Sequence, residues 1–70
     1  MKMTIEQKFG LRVREIRYRQ QISQEELAFR CGLSKNYISD VERGTRNISL
    51  KVIEKFAKGL SVPLSELFRF

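Results

Sequence analysis

The sequence predicts an all-α domain of five short helices. Three observations carry that expectation. Apolar residues recur at three- and four-residue spacing along most of the chain, and no stretch alternates polar and apolar for long enough to make a strand. Ser, Thr, Gly and Pro also fall at intervals that read as helix starts and stops. Seventy residues make one domain, 1–70, close to the lower size limit for folding on a hydrophobic core alone.

The first helix runs from about Thr4 to Arg19 or Gln20, with Thr4 as its cap. Phe9, Val13 and Ile16 share one face, and Arg12, Arg14, Glu15 and Arg17 surround it. Ser23 caps the second helix. Glu26 stands three residues on, the spacing of a capping box, in which each side chain accepts the other residue's amide. Leu27, Ala28 and Cys31 then line one face as far as Gly32, a residue that takes positive φ without a Cβ clash. Ser34 caps the third helix, whose Ile38 and Val41 point inward and whose end is marked by Arg43-Gly44. Ala28 is small enough to let a second helix cross closely over the first. Residues 24–43 are therefore two short helices about a tight turn, the layout of a helix-turn-helix.

After Gly44, Thr45 to Ile48 form a polar loop with one apolar anchor. Ser49 caps a fourth helix carrying Leu50, Ile53, Phe56, Ala57 and Leu60, which stops near Gly59 to Ser61. Pro63 suits the first turn of a last short helix, Leu64 to Phe68. The expected core is Phe9, Val13, Ile16, Ile22, Leu27, Ala28, Leu33, Ile38, Val41, Ile53 and Leu60. Only residues 1 to 3 read as loosely held.

Composition narrows the function. Fourteen Lys and Arg against eight Asp and Glu give a net charge of +6, which favours a polyanionic partner. Acids interleave the bases on every helix, unlike a membrane-surface helix with one cationic face. No run approaches the roughly 18 apolar residues of a membrane span, and the N-terminus lacks the pattern of a signal peptide, so a cytoplasmic location is expected. There is no histidine, no paired nucleophile and base, and no glycine-rich phosphate loop, so neither catalysis nor a metal, cofactor or small-molecule ligand is expected. The single cysteine, Cys31, reads as a small buried apolar residue.

On the third helix, Lys35, Asn36 and Ser39 are left facing outward near its N-terminal half, where a helix-turn-helix meets base edges in the major groove. Lysine donates to guanine O6 and N7, asparagine pairs with adenine N6 and N7, and serine serves either. Tyr37 stays open between packing on the sugar-phosphate backbone, touching a thymine methyl and filling a gap between helices. Arg43, Arg46 and Asn47 follow as the chain leaves the groove, where backbone phosphates pass. Asp40 is repelled by phosphates, so it either accepts from a cytosine amine or, the favoured reading, pairs with a neighbouring arginine.

Four pieces of sequence carry a resemblance: Ser23-Gln24-Glu25-Glu26-Leu27-Ala28, Gly32-Leu33-Ser34, Tyr37-Ile38-Ser39 and Val41-Glu42-Arg43-Gly44. Through them the chain resembles the phage-repressor-like (lambda repressor-like, XRE-type) helix-turn-helix regulators, five-helix domains that bind operator DNA as dimers. The run from Tyr37 to Ser49 looks most like the controller proteins of restriction-modification systems, which regulate their own gene and the endonuclease gene. The resemblance implies that Gln24 holds a phosphate, that Arg46 contacts backbone or base, and that Arg17 and Glu42 form a structural ion pair fixing the recognition helix.

A single recognition helix reads only a few base pairs, so a two-fold dimer on a palindrome is the expected solution. Phe56, Leu64, Leu67, Phe68 and Phe70 exceed what one face can bury. The dimer interface is accordingly expected on the last two helices, roughly 49–68, with Leu64, Leu67 and Phe68 central and Ile48 and Leu50 contributing. RNA polymerase is a further partner by analogy, through acidic residues of the second helix such as Glu25. The competing readings are another small bacterial, phage or plasmid repressor and an antitoxin-like protein-interaction module; a dedicated partner-binding region is expected to need chain beyond five helices.

Overall fold

The computed structural model describes residues 2–70, so the expectation for Met1 lies outside the described residues; Lys2 and Met3 are exposed. Four α-helices follow one another: α1 (Ile5–Arg19), α2 (Gln24–Cys31), α3 (Lys35–Arg43) and α4 (Leu50–Leu60). The chain then closes with a 3-10 turn, Leu64–Phe68. The fifth helix of the sequence reading is thus not an α-helix. Five residues after Pro63 are too few to sustain i→i+4 bonding, and Glu66 N donates instead to Pro63 O at 3.0 Å.

Each helix starts where the sequence places a cap. Ser23, Ser34 and Ser49 accept the amides of Glu26, Tyr37 and Val52 at 3.0, 3.1 and 3.2 Å. The reciprocal capping box lies elsewhere than expected. It forms at Thr4 and Gln7, with both bonds present at 2.9 and 3.1 Å, while the Glu26 carboxylate accepts from Arg30 Nε at 3.0 Å one turn along α2. Gly32 and Gly44 end α2 and α3 in the left-handed region, at φ 69° and 77°. Helix α4 ends on Ser61 at φ 56°, inside the expected stop at Gly59 to Ser61.

α1 packs mainly on α3, and α2 on α4 and α3. Two glycines set these distances. A Cβ on Gly10 would overlap the carbonyl oxygen of Val41 and come within 2.8 Å of that of Glu42, so α1 and α3 touch backbone to backbone. A Cβ on Gly59 would overlap Cys31 Sγ, which brings α4 equally close to α2. Cys31 is buried, and burial pushes its thiol up to about 11, so it serves packing at neutral pH.

Phe56, Leu27, Ile38, Leu60, Leu67 and Val13 are fully buried, and Phe56 meets Phe9 edge-on with ring centroids 5.9 Å apart. Phe56 and Leu67 were expected among the apolar excess available to a partner; both are instead consumed by the core. Ile22, Leu33 and Ile53 sit at its edge, partly buried. Arg12 is also buried, an unforeseen feature. Its Nε donates to Glu66 O at 2.7 Å and its Nη1 to Glu15 Oε1 at 2.8 Å, clasping the C-terminal turn to α1.

Gly10→Ala should lower stability by about 2 kcal/mol or more, because the methyl has only backbone to displace, outweighing the ~1 kcal/mol of helix propensity that alanine adds. Urea denaturation measures this; a variant as stable as the parent would contradict the close α1–α3 crossing.

Candidate nucleic-acid interface

α3 divides cleanly into two faces. Ile38, Val41 and Glu42 are buried, whereas Lys35 and Asn36 are exposed on its first turn and Ser39 and Asp40 are half-exposed on the next. The helical period alone produces this split. The first turns of α1 and α2 carry Glu6, Glu25 and Glu26, which complement the positive end of the helix dipole. The first turn of α3 has no acid and begins with Lys35. The positive end of the α3 dipole therefore meets no first-turn acid, as is also the case at α4.

The orientation of α3 rests on one buried carboxylate. Glu42 is 2% exposed and accepts from Arg17 of α1 through both oxygens, Nε to Oε2 at 2.7 Å and Nη2 to Oε1 at 3.0 Å. Arg17 Nη1 donates to Ile22 O at 2.9 Å, and its guanidinium lies over the Tyr18 ring at 4.8 Å. Arg14 Nε adds a longer contact to Glu42 Oε1 at 3.4 Å. Gln24, the first residue of α2, donates from Nε2 to the same oxygen at 3.0 Å. Burial alone would raise the Glu42 carboxyl, but the hydrogen bonds from Arg17 and Gln24, with the Arg17 charge and Arg14, hold it below its ordinary value; the same pairing raises Arg17.

The remaining side chains singled out by the sequence lie on and just beyond α3. Arg43 bridges Ser39 and Asp40, its Nη1 donating to Ser39 Oγ at 3.0 Å and its Nη2 to Asp40 Oδ1. Arg46 Nε reaches Asp40 Oδ2 at 3.3 Å and its guanidinium lies over the Tyr37 ring at 4.8 Å. Tyr37 is half-buried against the core, and the Arg46 guanidinium lies over its ring. Asn47 is exposed. Gln24 is half-buried and already engaged by Glu42, which the sequence reading did not foresee, although its amide keeps a second hydrogen to donate.

On another surface, Leu50, Leu64 and Phe68 are exposed, and Ile48 is partly buried. Leu50, Ile53, Leu64 and Phe68 line a groove together with Lys51 and Glu54, and Ile53 and Phe68 also line an adjoining one with Ile5, Phe9 and Ile48, which Arg46 and Asn47 border. Leu67 belongs to neither. At 0% exposure it is spent on the core, because the 3-10 turn directs it inward while Leu64 and Phe68 stay outside. The sequence reading also missed Phe29, 83% exposed on the outer side of α2. No helix among the described residues is long and apolar enough to cross a membrane.

The helix-turn-helix family matches residues 13–67. Over 63 residues the chain is 54% identical to control protein C.BamHI of Bacillus amyloliquefaciens, spanning 89% of this chain and 78% of that protein. Its backbone superposes on the restriction-modification controller protein C.AhdI from Aeromonas hydrophila with a TM-score of 0.88 at 49% identity, covering 90% of this chain and 96% of that one. The restriction-modification controller protein C.Esp1396I, solved as a tetramer in complex with its natural 35 base-pair operator, matches with a TM-score of 0.87 at 33% identity, covering 96% and 88%.

Glu42→Ala should cost about 3–5 kcal/mol, since it strands the Arg17 charge inside the protein. The pH dependence has a definite sign. A carboxyl lowered on folding contributes stability above its unfolded value, here 4.5, and loses it as pH falls through the lower folded value. Thermal melts of the parent and of Glu42→Gln should therefore differ at pH 7 and converge in acid; a constant difference down to pH 2 would refute the assignment.

Proposed function

The chain belongs to the helix-turn-helix family, and from that premise we propose that it is a sequence-specific DNA-binding transcriptional regulator, dimeric on a palindromic operator. We assign it as the controller protein of a restriction-modification system, acting on its own gene and the endonuclease gene from within the cytoplasm. The observation that carries this reading is the outward face of α3. Lys35, Asn36 and Ser39 project together from a helix whose other face is locked down by Glu42. Lys35 reads guanine, Asn36 reads adenine and Ser39 reads either, each good contact discriminating by about 1–3 kcal/mol. Arg43, Arg46 and Asn47 take phosphates where the chain leaves the groove, and the free amide hydrogen of Gln24 takes another beside the first-turn amides of α2.

The apolar side chains of these grooves, Leu50, Leu64 and Phe68 with Ile48, supply the two-fold interface. Exposed leucines at 84% and 50% are costly on a chain this small unless a second copy covers them. Glu25 is exposed on α2, where an acidic contact to RNA polymerase would fall if the regulator also activates. Repression needs only occupancy of the promoter.

Footprinting on the DNA upstream of the chain's own gene should protect a palindrome, and Lys35→Ala and Asn36→Ala should each abolish preference at one position of each half-site. With about 6 to 10 phosphates neutralised per dimer, affinity should drop by ~10³ to 10⁵ between 50 and 200 mM salt; a flat salt response would remove the nucleic-acid reading. In sedimentation, the parent should be a dimer at tens of micromolar. Leu64→Asp should be a folded monomer; a Leu64→Asp protein that remains dimeric would place the interface elsewhere.

A further inference from the structure

Asp40 is the one carboxylate that α3 does not bury: Glu42 is inside, and Asp40 keeps 27% of its side chain exposed among the groups assigned to DNA. An acid there repels phosphate, yet it is held by design of the local structure. Its Oδ1 takes Arg43 from the last turn of α3, its Oδ2 takes Arg46 from the following loop, and its backbone carbonyl accepts both the amide and the hydroxyl of Thr45 at 3.1 and 3.0 Å. Arg43 in turn holds Ser39, and Arg46 covers Tyr37. One carboxylate therefore gathers four side chains of the interface, two of them its cations.

We propose that Asp40 is a positioning residue that sets the sequence specificity of this interface through Arg43 and Arg46. The inference rests on the DNA-binding reading above. Non-specific affinity is a sum over neutralised phosphates and is indifferent to sequence. Two arginines on long, freely rotating side chains would add to that sum on any duplex. Pinned by Asp40, they join it only by breaking their pairs or by carrying a carboxylate up to the backbone. On a matched site the base contacts of α3 hold the helix at a fixed depth, and the guanidinium groups meet phosphates from the positions they already occupy. Asp40 thus lowers binding to mismatched DNA more than binding to the operator.

The test is a titration of the parent and Asp40→Asn with two duplexes, the fragment protected upstream of the chain's own gene and a base-shuffled duplex of equal length and composition. Both are measured at several salt concentrations, with thermal melts alongside. Asp40→Asn keeps the shape and removes the charge. It should bind the shuffled duplex about fivefold or more tighter, its salt slope should steepen by about 1 to 2 per protomer, and the operator-to-shuffled ratio should fall by a similar factor. Asp40→Glu, which keeps the charge, should restore most of the ratio. In a background of Arg43→Gln and Arg46→Gln, Asp40→Asn should no longer change it. An unchanged ratio in Asp40→Asn, or an equal loss on both duplexes, overturns the role of Asp40 alone. A parent that does not prefer the protected fragment overturns the regulator reading and this inference with it.

Discussion

Everything on the outer face of α3 depends on a carboxylate on its inner face. Glu42 is buried with a full set of partners, Arg17 from α1, Gln24 from α2 and Arg14 at longer range. A buried charge tolerates no half-made arrangement, because losing one partner leaves the other desolvated and alone. Its net contribution to stability is small compared with its demand on geometry. Three helices must meet at one point, in one orientation, before the charges are satisfied. α3 is thereby aimed, since Lys35, Asn36 and Ser39 take their direction from the side of the helix that Glu42 pins.

That arrangement has a prerequisite in a residue with no side chain. Arg17 can reach Glu42 only if α1 lies close against α3, and Gly10 permits this by letting α1 approach the Val41 and Glu42 carbonyls. Gly44 then turns the chain out of α3 at positive φ, and it too sits against α1, where a Cβ would crowd the Gln7 backbone. Thus one helix sets both the tilt of α3 and the departure of the loop that carries Arg46 and Asn47. The path from sequence to site runs through close backbone approach, then the ion pair, then the presented face.

How much of this the sequence discloses depends on the range of the interaction. Caps and helix ends are local, so Ser23, Ser34, Ser49, Gly32 and Gly44 could be read directly and stand where expected. The capping box could not be settled the same way, because Glu26 had a choice between the Ser23 amide and Arg30, and the charged partner won. The Arg17–Glu42 pair was legible only through family resemblance, since 25 residues separate partners that no periodicity connects. Gly10, Gly59 and buried Arg12 were illegible for the same reason: helical spacing shows which stripe faces inward but not how near the next helix comes. Of Leu64, Leu67 and Phe68, all three expected at the interface, only Leu67 turns into the core, because the 3-10 turn sets it inward of its neighbours. Phe56 went to the core since Phe9 gave it an aromatic partner across the fold.

Charge on this domain is distributed by task. The arginines that build the scaffold are saturated inside the chain: Arg12 on the C-terminal turn and Glu15, Arg17 on Glu42 and Ile22. Lys35 and Asn36, by contrast, are exposed with no side-chain partner among the described residues, on the one α-helical first turn of this motif that lacks an acid. Between those extremes stand Arg43 and Arg46, at the surface but each paired with Asp40. A net charge of +6 says only that an anion is attractive. On the function proposed above, the division into spent, free and surface-paired cations is what lets that attraction prefer one duplex over another.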